Sequence, residues 1–377
     1  MKRCVIRLAQ VLLLFLYTLF CHLPHHRRIV CCSRESDTPS ADFILIKDFV
    51  SRTHPEYDVA IMSKTLDSPI TYAFHMLRQL YYIATSNAVV LDTYIPTISL
   101  LAGHIRIPVI QMWHALGNMK RFGYTALKDA EGRGTNAAEL LNMHRGYTSV
   151  LISSMSFVDD YAAGFGIDKS LIYEAPLPRT DLLVDPRNRS VQRERLLRKY
   201  PMLAGKRNIV YCPTFRKRTP SNQKKAWSDL ASAVDFNRYN LILKAHPLDD
   251  TRFDDPRVIQ NYSDKDNMLF AADYVISDYS TVIYEAGLIG APVFLYGYDW
   301  AEYSSRRSLY IDPERDIPTL FTDDARAIMH AIENDDFDAD AYAAFIARNI
   351  TLPEHGTCTA RVVDHIFDLI RRNRRTK

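Results

Sequence analysis

The feature that most constrains the fold is a regular alternation of short apolar segments with amphipathic ones. From residue 28 onward, β-branched runs such as RRIVCC, DVAIMS and NAVVLDT are typical of buried strands, and the segments between them have helical spacing. Strands that alternate with helices predict a parallel α/β architecture. The charged helical stretch DPRNRSVQRERLLRKYPMLAGKRN interrupts the alternation, and we interpret it as the linker between two halves.

The length agrees with this division, because 377 residues is about two to three times the size of a typical domain. We expect two doubly wound, Rossmann-like domains that face each other across a cleft. The predicted boundaries are an N-terminal segment of 1–26, an α/β domain of 27–190, a second α/β domain of 191–357 and a basic amphipathic helix of 358–377.

Composition and motifs exclude several classes of protein. A net charge of +3 is too small to indicate nucleic-acid binding over the whole surface. The six cysteines form no CxxC pair, which disfavours a disulfide framework and fits a reducing compartment. The sequence contains no Walker lysine motif, no GxGxxG and no HExxH, so the usual NTPase, dinucleotide-binding and zinc-protease interpretations are disfavoured.

The amino terminus, MKRCVIRLAQVLLLFLYTLFCHLPHHRR, differs from the rest of the chain. Its uninterrupted apolar core, 11–21, is shorter than the roughly 20 residues of a membrane-spanning helix, and no good cleavage site follows it. An uncleaved anchor, a helix in the membrane interface and a buried amphipathic helix all remain open. We favour a membrane-associating helix with the bulk of the chain on the cytoplasmic side.

Polar residues stand where parallel strands end, which is the edge at which α/β sheets bind ligands. The polar residues that follow predicted strands are His114, Thr214, Arg216, His246, Ser277, Asp278, Ser280, Thr281 and Asp299. Two histidines, an arginine and a hydroxyl-rich helix start together predict a site for a phosphate ester with a base nearby.

Each of these positions also has a simpler explanation. Ser280 or Thr281 at the first turn of a helix would form an anion site, or would only cap the helix. Arg216 could bind phosphate in a bidentate manner, or could belong to a solvated basic loop. A single histidine at a strand end, such as His114 or His246, is more often structural than catalytic.

Taken in order, the motifs resemble the CDP-glycerol glycerophosphotransferase family, which contains the teichoic-acid primases and polymerases. The matching elements are Trp113–His114 with Lys120 and Gly123, Pro178–Arg179 with Asp181, Pro213–Thr214 with Arg216, His246–Pro247, Ser277–Ser280 with Glu285, and Tyr298–Asp299. The resemblance covers almost the whole chain, from about residue 14 to residue 370. One departure is Ser308, which stands where the family usually has a glycine.

The resemblance implies a GT-B-like fold and transfer of glycerol phosphate from CDP-glycerol, or of ribitol phosphate from CDP-ribitol, to a lipid-linked polyprenyl acceptor. CMP is then released, and no metal or cofactor is required. His114 is implied as the base and His246 as a second catalytic residue. The residues implied in donor or phosphate binding are Thr214, Arg216, Ser277, Asp278, Ser280, Thr281, Glu285, Lys120 and Arg179. Such an enzyme would act at the cytoplasmic face of the cell membrane.

Two other functions remain compatible with the sequence. A GT-B nucleotide-sugar glycosyltransferase would keep the cleft and the phosphate site but would release a nucleoside diphosphate. A non-catalytic protein that binds an anionic polymer would need no base, so the presence of His114, Arg216 and His246 together disfavours it.

Overall fold

Two parallel six-stranded sheets dominate the computed structural model of the chain, which describes residues 2–66, 68–130, 135–216, 222–245, 253–260, 263 and 266–375. The predicted α/β architecture is therefore confirmed. The central strands of each sheet are almost completely buried, because parallel sheets have helices on both faces and their strands are continuous apolar runs.

The first sheet has the strand order β2-β1-β3-β4-β5-β6. Its strands are β1 (Arg28–Ser33), β2 (Asp58–Ser63), β3 (Ala88–Leu91), β4 (Val109–Gln111), β5 (Ser149–Ile152) and β6 (Ile172–Glu174). The strand predicted within IRIPVIQMW forms only three residues. Pro108 cannot donate a backbone hydrogen bond, and Trp113 leaves the extended conformation with φ +59°.

The second sheet has the order β12-β11-β10-β7-β8-β9. Its strands are β7 (Arg207–Tyr211), β8 (Tyr239–Leu243), β9 (Val258–Ile259), β10 (Tyr274–Ser277), β11 (Val293–Tyr296) and β12 (Phe321–Thr322). In both sheets the order of strands reverses next to the first strand of the domain, which creates a crevice at the carboxyl ends of the strands.

Fourteen helices occur in the described part of the chain. They are α1 (Lys2–Phe20), α2 (Ala41–Thr53), α3 (Pro69–Ala84), α4 (Pro96–Leu100), α5 (Thr135–Leu140), α6 (Val158–Phe165), α7 (Thr180–Val184), α8 (Pro186–Lys199), α9 (Gln223–Ala233), α10 (Val282–Ile289), α11 (Trp300–Arg306), α12 (Ala325–Glu333), α13 (Ala339–Asn349) and α14 (Cys358–Arg375). Helix α2 begins as predicted, because the Ser40 side chain accepts a hydrogen bond from the Phe43 N–H. The helix predicted over 137–147 ends at Leu140, since Asn142 and His144 adopt positive φ.

The linker helix α8 joins the two sheets and contains the boundary that we predicted at residue 190. The C-terminal helix α14 returns to the first domain. There, His365 stacks on Tyr173 of β6 with ring centroids 3.7 Å apart, and its Nε2 lies 2.9 Å from the Ser149 hydroxyl of β5. The C-terminal helix therefore ties the end of the second domain to the first.

The N-terminal helix α1 packs one face on the first domain through Leu13 and Tyr17. Its other face leaves an apolar stripe in solvent, formed by Leu8, Val11, Leu12, Phe15 and Leu19. Among the residues that the structure describes, no helix is both long enough and apolar enough to cross a bilayer.

Candidate active site

The segment that follows β4 contains the candidate base, and we call residues 112–124 the His114 loop. Its second residue, Trp113, adopts φ +59°, which is unusual for a bulky side chain and persists only where the surrounding structure holds it. The Trp113 N–H donates to the Gln111 side-chain oxygen at 2.9 Å, and the indole stacks on Phe122 at 5.2 Å. These contacts fix the sharp turn that projects His114 from the sheet edge.

The imidazole of His114 has a defined orientation. Its Nδ1 lies 3.1 Å from the carbonyl oxygen of Asp92, which directly follows β3. A carbonyl can only accept, so Nδ1 carries the proton and Nε2 is left with a free lone pair. The Glu35 carboxylate stands 3.9 Å from the same Nδ1, and the imidazole side chain is 42% exposed. The neutral ring can therefore take a proton through Nε2.

The side chain of Asp92 lies beneath this arrangement. It is 3% exposed, and one carboxylate oxygen has no hydrogen-bond partner in the described structure. Burial raises the pKa of Asp92 to about 7, and the nearby charges of Glu35 and Asp42 act in the same direction. The sequence interpretation missed Asp92, although it follows a strand as directly as His114 does.

The His114 loop is fastened to the second domain. The Tyr284 hydroxyl on α10 donates to the Asn118 carbonyl at 2.8 Å, and a Cβ on Gly117 would approach the Tyr284 ring to 2.2 Å. Lys120 forms an antiparallel bridge with Leu309. Two backbone hydrogen bonds flank this bridge, from Arg121 N to Ser308 O at 3.0 Å and from Tyr310 N to Met119 O at 2.8 Å.

Arg179 forms hydrogen bonds to both domains and to the backbone of His114. Its backbone N–H and Nη1 donate to the two carboxylate oxygens of Asp42 at 2.8 and 2.6 Å. Its Nε donates to Glu285 of α10 at 3.1 Å, and its Nη2 donates to the His114 carbonyl at 2.8 Å. In this arrangement Arg179 and Glu285 orient the His114 loop.

Arg216 lies in a closed ionic centre of the second domain. Its Nε and Nη2 form a bidentate pair with Asp299 at 2.8 and 2.7 Å, and Nη1 donates to Asp278 at 2.7 Å. The side chain is only 4% exposed. Although burial acts to lower the pKa of Arg216, the neighbouring carboxylates raise it well above its usual value.

Three aromatic rings complete the enclosure of this guanidinium. The rings of Tyr279, Tyr298 and Tyr303 lie with their centroids 5.2 to 5.5 Å from the Arg216 carbon Cζ. Asp278 also accepts from the backbone N–H of Thr214 at 2.9 Å. Arg216 is therefore committed to protein partners and holds the ends of β7, β10 and β11 together.

The hydroxyl groups at the start of α10 are weakly engaged among the described residues. Thr281 makes no side-chain capping bond, and the Ser280 hydroxyl lies a long 3.4 Å from the Val282 N–H. Simple capping therefore does not account for both residues. Ser277 differs, because its buried hydroxyl donates to the Cys212 carbonyl at 2.9 Å. The helix start adjoins the His114 loop, since Tyr284 and Glu285 of the same helix contact that loop and Arg179.

Lys120 crosses between the domains. Its ammonium donates to the Thr214 hydroxyl at 3.3 Å and lies 5.7 Å from the centre of the Tyr303 ring. The structure thus brings Lys120 and Thr214 together from distant parts of the sequence. The other predicted histidine, His246, lies outside the residues that the structure describes.

Comparison with known proteins adds independent findings. A sequence model of the CDP-glycerol:poly(glycerophosphate) glycerophosphotransferase family matches residues 15–368. The chain is 26% identical to a teichoic acid ribitol-phosphate primase of Bacillus spizizenii, over 92% of each chain. It is also 26% identical to a teichoic acid poly(ribitol-phosphate) polymerase of that organism, where the match covers 97% of this chain but 60% of the polymerase.

Solved structures agree on the fold. The wall teichoic acid polymerase TagF superposes with a TM-score of 0.77 at 18% identity, over 98% of both chains. A UDP complex of MnaA from Staphylococcus aureus gives a TM-score of 0.59 at 11% identity, over 91% of this chain and 97% of that one. At these identities the likeness establishes the two-sheet α/β architecture.

Proposed function

Because the chain belongs to the CDP-glycerol:poly(glycerophosphate) glycerophosphotransferase family, we propose that it transfers a polyol phosphate from CDP-glycerol or CDP-ribitol to a hydroxyl of a lipid-linked acceptor, with release of CMP. The observation that carries this proposal is the geometry of His114. Its protonated nitrogen is held by the Asp92 carbonyl, so its basic nitrogen is free at the junction between the domains.

In the proposed reaction the acceptor oxygen attacks the phosphorus next to the polyol. The hydroxyl proton passes to Nε2 of His114 as the new oxygen–phosphorus bond forms. The bond from that phosphorus to the CMP oxygen breaks, and CMP leaves with the bonding electron pair. The positive end of the α10 dipole, the Ser280 and Thr281 hydroxyls and the Lys120 ammonium would stabilise the negative charge on the phosphates.

Two predicted donor-site residues take less direct parts in this proposal. Arg216 would keep the carboxylates of Asp278 and Asp299 in place, and Arg179 would orient the His114 loop, because protein carboxylates already occupy both guanidinium groups. His246 keeps its proposed catalytic role on the strength of the family motif alone.

The test is a donor assay. Purified protein is incubated with a lipid-linked acceptor and with CDP-glycerol or CDP-ribitol, each labelled at the phosphorus attached to the polyol. We expect labelled acceptor and unlabelled CMP from one of the two donors. The relatives bear names of both glycerol-phosphate and ribitol-phosphate enzymes, so the two donors are compared directly. No CMP from either donor refutes the proposal, and release of a nucleoside diphosphate indicates the glycosyltransferase alternative.

A substitution then tests whether His114 acts as the base. His114→Ala should lower turnover by at least about 100-fold while donor binding, measured by calorimetry, stays within a factor of about three. His104→Ala is the matched control, because exposed His104 lies near the opposite end of β4. Full turnover in His114→Ala would remove His114 from the mechanism.

We also propose that the protein binds peripherally to the cytoplasmic face of the membrane through α1. The exposed apolar stripe of that helix, joined by exposed Phe74 and Leu77 on the neighbouring α3, supports this location. Phe15→Glu should reduce co-sedimentation with anionic vesicles, whereas Val191→Glu, at an exposed apolar residue of α8, should leave it unchanged. Equal sedimentation of both variants would contradict a role for α1.

A further inference from the structure

The first sheet has a strand-end arginine that differs from the other two arginines of the site. Arg179 is paired with Asp42 and Glu285, and Arg216 is paired with Asp278 and Asp299. Arg34 directly follows β1 and is half-buried. Within the described ranges, no carboxylate lies at ion-pair distance from its guanidinium. No carboxylate of the described residues therefore neutralises its charge.

Arg34 and His114 are anchored on the same three consecutive residues after β3. The Asp92 carbonyl holds the His114 imidazole, and the Thr93 hydroxyl accepts from the Arg34 backbone N–H at 3.1 Å. The ring of Tyr94 lies beneath the Arg34 guanidinium, 5.5 Å from its carbon Cζ. Both side chains consequently belong to the carboxyl edge of the first sheet, where α/β domains bind ligands.

Two buried hydrogen-bond donors, one of Arg34 itself and one of a neighbouring tyrosine, have no partner among the described residues. They are the Arg34 Nε–H and the hydroxyl of Tyr72, a residue of α3 that is 3% exposed. Burial raises the pKa of Tyr72 to about 12, against the opposing charge of Arg34, so this hydroxyl remains protonated and can donate. Buried donors without an acceptor are costly, and phosphate oxygens would satisfy them.

We propose that Arg34, with Tyr72 on its covered side, forms a second phosphate subsite, which binds a phosphate group already present on the acceptor. Guanidinium matches phosphate oxygens in a bidentate manner, and the half-buried side chain can be reached from solvent. A phosphate bound here would position the neighbouring hydroxyl of the acceptor close to His114. This inference rests on the proposed function and names the chemistry of its acceptor.

Two matched acceptors test the subsite. One ends in a polyol phosphate, and the other ends in the same polyol on the same lipid without that phosphate. In Arg34→Gln we expect the KM for the phosphate-bearing acceptor to rise about tenfold or more, with kcat within a factor of about three. The KM for the phosphate-free acceptor and the donor Kd from calorimetry should be unchanged. Arg34→Lys should restore part of the affinity, because it keeps the charge but loses the bidentate geometry.

Tyr72→Phe should raise the same KM by a smaller factor, about two to five. Arg238→Gln, at an exposed arginine of the second domain, is the matched control. Glycerol phosphate should inhibit the wild-type protein competitively with the phosphate-bearing acceptor, and this measurement needs no variant.

Three results would overturn the proposal. An equal rise in KM for both acceptors would show that Arg34 does not contact the acceptor phosphate. Weakened donor binding in Arg34→Gln would assign the phosphate to the donor. Inhibition by glycerol phosphate that competes with the donor would do the same. Failure of the proposed function is recognised separately, because wild-type protein would then release no CMP from either CDP-polyol.

Discussion

The charged side chains that follow the strands differ between the two domains in burial and in their partners. In the second domain, Arg216 is enclosed by two carboxylates and three tyrosine rings, and every charge in the group has a partner. In the first domain, His114 and Arg34 are partly exposed, and one oxygen of buried Asp92 has no hydrogen-bond partner among the described residues. We infer that the ionic centre of the second domain serves rigidity, while the first domain exposes His114 and Arg34 to a ligand.

The largest effect on stability is expected from Arg216→Leu, which tests this difference between the domains. Removal of the guanidinium leaves Asp278 and Asp299 buried without a counter-ion, so we expect a loss of about 3–5 kcal/mol in the free energy of unfolding. Urea denaturation measures the loss. His114→Ala is the comparison and should cost less than about 1 kcal/mol, because that imidazole is partly exposed. Similar losses in the two variants would contradict the division between a structural and a reactive centre.

Asp92→Asn tests the buried carboxyl through its pH dependence. The pKa of Asp92 is raised to about 7 in the folded protein, against about 3.9 in the unfolded chain. Unfolding therefore releases a proton between these values, and the stability contributed by the protonated carboxyl is lost as the pH rises from about 4 to about 7.

The asparagine variant lacks this loss. It should be more stable than the wild type at pH 8, by at most about 4 kcal/mol, and nearly equal to it at pH 4. Urea denaturation of both proteins at pH 4, 6 and 8 measures the difference. A difference that does not change with pH would show that Asp92 is ionised throughout this range.

Gly117→Ala examines how firmly the His114 loop is held. The new methyl group would overlap the Tyr284 ring, so either the loop or α10 must shift. We expect a loss of about 1–3 kcal/mol in stability together with reduced turnover. Tyr284→Phe, which removes only the hydrogen bond to Asn118, should cost about 1 kcal/mol. Normal turnover in Gly117→Ala would show that the close contact between Gly117 and Tyr284 is not needed for activity.

The smallest expected effect concerns Ser308, which replaces the usual family glycine. Its hydroxyl donates to Asp129 at 2.7 Å and its backbone N–H donates to the other Asp129 oxygen at 3.1 Å. Ser308→Gly should therefore cost about 0.5–1.5 kcal/mol, measured by urea denaturation, with little change in donor Kd. A stabilising effect would indicate that the serine has no structural role here.

The sequence was sufficient to predict the central strands of both sheets and the edge at which polar residues collect, but not the two-residue edge strands β9 and β12. Ligands of α/β sheets bind where parallel strands end, and this rule identified His114, Thr214 and Arg216. The rule works from sequence because the position of a residue after a strand is a local property. It could not predict that Arg216 is occupied by Asp278 and Asp299, since these partners are 62 and 83 residues away and meet only in the folded sheet.

The same rule applied to β1 and β3 would have found Arg34 and Asp92. They were missed because neither belongs to a motif of the family, and because an unpaired charge is visible only when its neighbours are known. The short β4 illustrates another limit, because a tryptophan has no local preference for positive φ, yet Trp113 adopts φ +59° in the fold.

The attachment of the His114 loop to α10 and to residues 308–310 has a consequence for unproductive reactions. The loop that carries the base is held by both domains, so separation of the domains would break its contacts with Tyr284 and with residues 308–310. A donor bound while the domains are apart would then be exposed to water, but no positioned base would activate that water for hydrolysis. The activated phosphate would be protected from hydrolysis until the two halves come together around an acceptor.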